Sequence, residues 1–314
     1  MMINEFSYHD LGIVFQPKKE FSNLRYAQIP TPILINDDVI RVYLSGRNKK
    51  NQSFIYHVDV KSSDPTKIIT TNENPLLDFG KKGHFDEHGI MPSCAFRKEK
   101  KIFLFYSGWS LRKSVPYNNL MGLALSSGEK KFYKPYQGPI LGQCILEPLS
   151  ATSPWICEYG NQYIMYYCSG IDWLEIDGKL EHTYDIKIAK SKNLISWNIL
   201  GKVAIGQNNF EQAITRPTVI KINKKYHMWF CFRDSRDFRN GKGSYKIGHA
   251  KSENMINWKR SINQVIPENG WNRNSLEMQA YPAAIKTKDF IFIFYNGNSF
   301  GKTGFGVISL NIKN

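Results

Sequence analysis

Apolar runs of four to seven residues, rich in Ile, Val, Phe and Tyr, alternate with polar turns along most of the chain. That pattern predicts β-strands joined in hairpins. One stretch, IPTPILINDDVIRVYLSGR from Ile29, has the form proline, apolar run, polar turn, second apolar run, then a small polar end. It returns as MPSCAFRKEKKIFLFYSGW from Met91, SPWICEYGNQYIMYYCSGI from Ser153, RPTVIKINKKYHMWFCFRD from Arg216 and YPAAIKTKDFIFIFYNGN from Tyr281. The five prolines, Pro30, Pro92, Pro154, Pro217 and Pro282, lie 62 to 65 residues apart. A fixed period of this kind marks a repeat architecture. The turns fall at Asn36-Asp37-Asp38, Tyr159-Gly160-Asn161 and Asn223-Lys224-Lys225, among others.

A third strand follows each hairpin, near 54–60, 121–127, 185–191, 245–252 and 305–310, and a weaker fourth follows near 197–202 and 258–265. Four antiparallel strands, repeated five times, predict an all-β fold, a five-bladed β-propeller forming a single domain over 1–314, its blades beginning near 29, 91, 153, 216 and 281. The last repeat ends soon after its third strand, so the N-terminal run at 11–15 is expected to supply the outer strand of the fifth blade. Trp197 and Trp258, at matching places in SKNLISW and SENMINW, are expected to pack between blades.

Composition then narrows the partners. The formal charge is +15, spread through loops such as those around Lys18, Lys49, Lys81, Lys98, Lys130 and Arg233. The charge is not gathered on a helix or a known binding module, so nucleic acid is not expected. An anionic or phosphorylated sugar, or peripheral contact with a membrane surface, fits it better. No apolar run approaches the ~18 residues of a transmembrane segment, and the start shows no secretory signal pattern. Five cysteines without metal-site spacing suggest reduced thiols, consistent with a cytoplasmic location.

Strand alternation and ring closure would bring the residues before each repeat proline, and those after each second strand, to one mouth of the central funnel. Arg25, Gln28, Asp86, His88, Arg216 and Tyr281 belong to the first group. Arg47, Trp109, Asp172, Trp173, Arg233, Asp234, Asn296 and Asn298 belong to the second. All of these are candidate substrate-binding residues. Four acids recur ahead of the prolines, Glu87, Glu147, Glu211 and Glu277. Aromatic faces, carboxylates, arginines and amides around one mouth suit a sugar. Two carboxylates across it could act as acid and base on a glycosidic bond. Glu87 and Glu277 are the first choices, with Glu147 the third. The glycines of YNGNSFGKTGFG are read as a hairpin turn.

These hairpin repeats, the SxxxxxW segments and the closing YPAAI…FYNGNSFGKTGFGV resemble the five-bladed propeller glycosidase superfamily of glycoside hydrolase families 43, 32 and 68. They are most similar to glycosidase-like proteins of bacterial surface-polysaccharide gene clusters. The resemblance covers nearly the whole chain and implies a glycoside hydrolase-like enzyme of surface-glycan metabolism. It requires no cofactor, although it allows an axial calcium. Family 43 enzymes place an Asp base at the first inner strand, where this chain has Arg25-Tyr26-Ala27-Gln28. The family 32 Asn-Asp-Pro-Asn-Gly and Arg-Asp-Pro patterns are absent. The related family 130 phosphorylases use phosphate in place of the base, so phosphorolysis or transfer from a phosphorylated or nucleotide-linked sugar is the first alternative. A propeller that binds a glycan without turning it over is the second. An opposed carboxylate pair would favour hydrolysis, and carboxylates tied to arginines would favour binding alone.

Overall fold

The computed structural model describes residues 5–17, 25–72, 74–126, 131–209, 211–239 and 241–312. Among them the chain forms twenty strands and one short 3-10 turn (Asn298–Gly301), in three hydrogen-bonded sheets. The N-terminal β1 (Phe6–Phe15) precedes β2 (Gln28–Asn36), β3 (Val39–Arg47), β4 (Ser53–Lys61) and β5 (Ile68–Thr71), which pair in that order. Next come β6 (Gly89–Lys98), β7 (Lys101–Leu111), β8 (Tyr117–Ser126) and β9 (Phe132–Tyr133). The third run is β10 (Ala151–Tyr159), β11 (Gln162–Ile176), β12 (Lys179–Ser191) and β13 (Asn198–Ile205), and the fourth is β14 (Ala213–Ile222), β15 (Lys225–Arg233), β16 (Lys246–Ser252) and β17 (Lys259–Arg260). The last is β18 (Ala280–Lys286), β19 (Ile291–Asn296) and β20 (Phe305–Ile312).

Within each run neighbours are antiparallel. Single parallel bridges, Ser53 to Gly89 and Tyr184 to Ala213, join the first run to the second and the third to the fourth. The predicted hairpins stand where the apolar runs placed them. The predicted fourth strand at 258–265 is shorter than expected, only Lys259–Arg260, while β5 and β9 add outer strands that the sequence pattern did not mark.

The strands that carry the repeat prolines pack side by side in a circuit: β2 beside β6, β6 beside β10, β10 beside β14, β14 beside β18, and β18 beside β2. Apolar side chains fill the wedges between neighbouring runs. Val42 and Val58 share one cluster with Phe294 and Val307, and Ile164 and Ile188 share another with Ile214 and Met228. The two tryptophans bridge runs as expected, Trp197 edge-on to Phe105 and Trp258 edge-on to Tyr166.

β1 pairs antiparallel with β20 at the outer edge of the last sheet. Its anchor is the buried Asp10, which accepts hydrogen bonds from Tyr295 Oη (2.9 Å), Asn272 N (2.7 Å), Asn272 Nδ2 (2.8 Å) and Gly12 N (2.9 Å). Asp10→Ala leaves those donors without their acceptor and is expected to cost about 2–3 kcal/mol, read as a lower urea midpoint with the slope retained.

Against β1 lies a histidine pair. His227 and His249 stack with centroids 5.3 Å apart, the Nδ1 of the first 3.1 Å from the Nε2 of the second, with Phe6 edge-on to both rings. Burial, then the neighbouring His227 and Lys251, pushes His249 down to about 3, and burial with Arg233 does the same to His182. Both native values lie below the unfolded histidine value of about 6.5. The unfolded chain therefore binds more protons between those limits. The stability these groups contribute is complete above about pH 6.5 and is lost as pH falls toward 3. Urea midpoints should fall from pH 7 to pH 4, and His249→Gln should flatten the slope. An unchanged slope in that variant would remove the histidine from the explanation.

Candidate functional site

The repeat prolines shape the floor of the site. Proline has no N–H to give to a ladder, and the pairing register breaks around each of them: Gln28 to Thr31, Pro92 to Cys94, Thr152 to Trp155, Thr215 to Thr218 and Ala280 to Ala283. In four of the five, the residue before the proline takes a left-handed backbone: Ile29 (φ 56°), Ser153 (φ 50°), Arg216 (φ 56°) and Tyr281 (φ 56°). Such conformations cost on the order of 1–3 kcal/mol for residues other than glycine and persist where packing holds them. Three of the four, Ile29, Ser153 and Tyr281, line one cleft of 590 Å³.

The fourth, Arg216, is fully buried beneath that floor. It donates to Pro30 O (3.1 Å), to Thr31 Oγ1 (2.8 Å) and to Ser93 O, tying β14 to β2 and β6. Burial lowers its pKa to about 10. Hydroxyls from Ser93, Ser107 and Thr152 stand nearby in a network of their own. These residues do not fit the axial calcium that the resemblance allows: the carbonyls are already occupied by a guanidinium, whose charge would repel a cation.

The cleft walls are cationic and aromatic. Arg47 lies over Trp109 at 5.5 Å and donates to Gln28 Oε1 at 2.7 Å. Trp109 is held by its Nε1–H to Ser53 Oγ at 2.8 Å. On another wall Phe238 lies against two guanidinium groups, Arg233 at 3.7 Å and Arg239 at 4.2 Å. Arg233 donates to Tyr245 Oη (3.3 Å), to Asp234 O (2.8 Å) and to His182 O (2.8 Å). Tyr117 and Tyr184 share a hydrogen bond of 3.0 Å. Burial raises the pKa of Tyr117, Tyr184, Tyr245 and Tyr281, so the phenols stay protonated and can donate. Burial lowers that of Arg47.

One carboxylate lines the cleft, Glu181, among the described residues. It is 6% exposed and bound in bidentate fashion by Arg239, whose Nη2 stands 2.9 Å from Oε2 and whose Nη1 contacts Oε1. The Arg239 side chain is about half exposed.

Of the residues named from sequence, Gln28, Arg47, Trp109, Arg233 and Tyr281 come together here. Trp173 backs the cleft by stacking on His182 at 4.1 Å and meeting Tyr117 edge-on at 5.2 Å. The other candidates stand apart, each for a visible reason. Glu147 is fully buried, bound by Tyr167 Oη (2.7 Å), Lys187 Nζ (3.2 Å) and Ser169. Asp86 is buried between Lys134 Nζ (2.6 Å) and Tyr106 Oη (3.1 Å). Glu87 and His88 lie outside the cleft wall, with Glu87 in a neighbouring depression.

Glu277 is exposed, and its backbone, not its carboxylate, makes the local bonds, to Asn298 Oδ1 and Lys246 Nζ. Arg25 and Asp172 are exposed outside the cleft, and Asp234 caps its own turn through Arg236 N. Glu211, the fourth recurrent acid, pairs with Arg260. Asn296 is fully buried and joins the last run to the first through Ile29 N (2.7 Å) and Ala27 O (2.7 Å), while Asn298 holds the backbone at Glu277 and Met278. The glycine-rich turn contributes instead through Ser299 and Phe300.

The residues that sequence reading missed are Glu181, Arg239, Phe238, Tyr117 and Tyr184. Glu181 and Tyr184 sit on β12, which with β11 forms the longest hairpin, 13 and 15 residues. That hairpin turns at Asp177-Gly178, both left-handed (φ 51° and 70°). Asp-Gly between apolar runs is a strong signal for a two-residue turn, and it would have shown that this hairpin overshoots the others.

No protein-family model matches the chain. The uncharacterized proteins MT1551 and Rv1502 of two Mycobacterium tuberculosis strains are each 29% identical over 309 residues, covering 97% of this chain and 99% of theirs. Among solved structures, a glycosyl hydrolase from Bacteroides ovatus superposes with a TM-score of 0.72 at 14% identity, over 97% of this chain and 94% of that one. A thermostable family-43 glycoside hydrolase gives 0.62 at 17% identity, over 91% and 88%. A structure from the GH130 family of mannoside phosphorylases, described as containing glycoside hydrolases that target β-1,2 mannosidic linkages, gives 0.69 at 13% identity, over 98% and 95%. At these identities the likeness is one of fold: the chain is built as the glycoside hydrolases are, in agreement with the resemblance of its repeats.

Proposed function

We propose that this chain is a five-bladed propeller, a single domain of five four-stranded blades with β1 closing the fifth, and that it acts on a glycosidic bond by phosphorolysis. The observation that carries the reading is the content of the cleft among the described residues: Arg47, Arg233 and Arg239 against one carboxylate, Glu181. Hydrolysis in this fold calls for two carboxylates, one as acid and one as base or nucleophile. Where the described wall offers one carboxylate and several cations, phosphate supplies the nucleophilic oxygen. The sugar ring stacks on Trp109 and Tyr281, with Gln28 and Arg47 at its hydroxyls. Phosphate sits on the wall of Arg233 and Arg239, where charged hydrogen bonds are strong.

Phosphate at Arg239 competes with Glu181. Monohydrogen phosphate brings its own proton beside Glu181, whose carboxylate passes it on to the leaving oxygen. A phosphate oxygen bonds to the anomeric carbon as the bond from that carbon to the leaving oxygen breaks. The proton that began on phosphate ends on the leaving oxygen, so the products are a sugar phosphate and an alcohol. The free cysteines suit a reducing, cytoplasmic setting. Among the described residues no helix is long and apolar enough to cross a membrane.

A second reading, a propeller that binds an acidic glycan without cleaving it, is favoured by the bidentate Glu181–Arg239 pair. A turnover screen with nitrophenyl glycosides and disaccharides, with and without phosphate, separates the two. Turnover only with phosphate, reduced tenfold or more in Arg239→Ala, is the expected result. Turnover independent of phosphate would sink phosphorolysis, and binding without turnover would establish the second reading.

A further inference from the structure

Beside the cleft lies a second depression of 550 Å³, and the exposed Leu111 lines both. Its walls mix apolar surface from Phe85, Leu120 and Pro139 with polar groups from Glu87, Arg112 and Gln137. The boundary between the two hollows is built from held groups. The Leu111 N–H donates to His88 Nδ1 at 3.3 Å, and the His88 ring leans on Trp109 at 5.7 Å. The same Nδ1 stands 3.7 Å from Glu87 Oε1, while Glu87 Oε2 accepts the Gly83 N–H at 2.8 Å. The Glu87 side chain is 26% exposed, so its carboxylate is positioned yet open to a ligand. The Trp109 wall of the cleft and the Glu87 wall of the depression are thus joined through one histidine.

We propose that the ligand is an oligosaccharide that occupies both hollows, one ring over Trp109 and the following rings crossing Leu111 into the depression. There Glu87 accepts from sugar hydroxyls, Arg112 and Gln137 donate to them, and the apolar faces of the rings lie on Leu111 and Pro139. An acceptor and donors above an apolar floor match a neutral, hydroxyl-rich chain better than a compact anion, which would meet the Glu87 carboxylate. This inference rests on the reading that the cleft takes a sugar, and it gives Glu87 a binding role in place of a catalytic one.

The test is direct binding by calorimetry of the whole chain to ladders of arabinose, xylose, mannose and glucose oligosaccharides, one to six units long. In at least one ladder the trisaccharide should bind at least tenfold more tightly than the monosaccharide. Glu87→Gln and Arg112→Ala, both at partly or fully exposed positions, should each reduce that ratio at least threefold. A ratio near one in every ladder, absence of binding by all of them, or a ratio unmoved by both variants would overturn the proposal. Length-dependent binding without phosphate-dependent turnover would overturn the phosphorolysis reading and leave this inference standing. Phosphate-dependent turnover of short glycosides without length dependence would do the reverse.

Discussion

Glu181→Gln is expected to lower phosphate-dependent turnover by roughly 10²–10⁴-fold, the usual contribution of a positioned acid, with KM within a few-fold of the native value. The amide keeps the size and can still meet Arg239, so the cleft wall that Glu181 shares with Phe238 and Arg239 should persist. The leaving group supplies the sharper readout. A disaccharide leaves as an alkoxide and needs the proton, whereas a dinitrophenyl group leaves without one. The loss should therefore be large for the disaccharide and small for the dinitrophenyl glycoside. Equal losses on both would show that Glu181 positions Arg239 and does not transfer a proton. No loss on either would remove it from the reaction.

The second large effect concerns stability. Arg216→Ala is expected to cost about 3 kcal/mol, because it strips charged hydrogen bonds from Pro30, Thr31 and Ser93 and empties a fully buried volume. Burying a guanidinium with no carboxylate among those acceptors is itself costly, and burial already draws its pKa down. Arg216→Met removes that burden and fills most of the space, so it should be less destabilising than the alanine variant. Urea melts of the three proteins check this order. An alanine variant as stable as the native chain would mean that β2, β6 and β14 hold together without this cross-tie. Thr215, next to Arg216, lines the cleft, so both variants should also weaken sugar binding.

Much of the architecture was legible because it is local. Proline, apolar run, turn and apolar run determine a hairpin within about twenty residues, and each of the five copies became one. The five aligned side chains that reached the cleft, Gln28, Arg47, Trp109, Arg233 and Tyr281, sit near the starts of the proline-bearing strands or the ends of the second strands, where the period alone locates them. The acids at similar repeat positions did not converge. Glu147 was drawn into a buried network with Tyr167, Ser169 and Lys187, and Glu277 faces outward. Repeat position determines which end of a strand a residue occupies. Which way a loop side chain turns depends on partners far along the chain.

The sequence by itself therefore determined the repeated hairpins, the third strand that follows each of them and the aromatic and arginine character of one mouth, since these follow from short-range alternation and turn chemistry. Only the tertiary structure decided which carboxylate enters the cleft. Glu181 reaches it because β11 and β12 extend past their counterparts, and it is bound there by Arg239 from a loop 58 residues further on. The physical reason is that a carboxylate is buried where a cation can compensate it, and that cation comes from a different repeat, brought into reach only when the runs pack side by side.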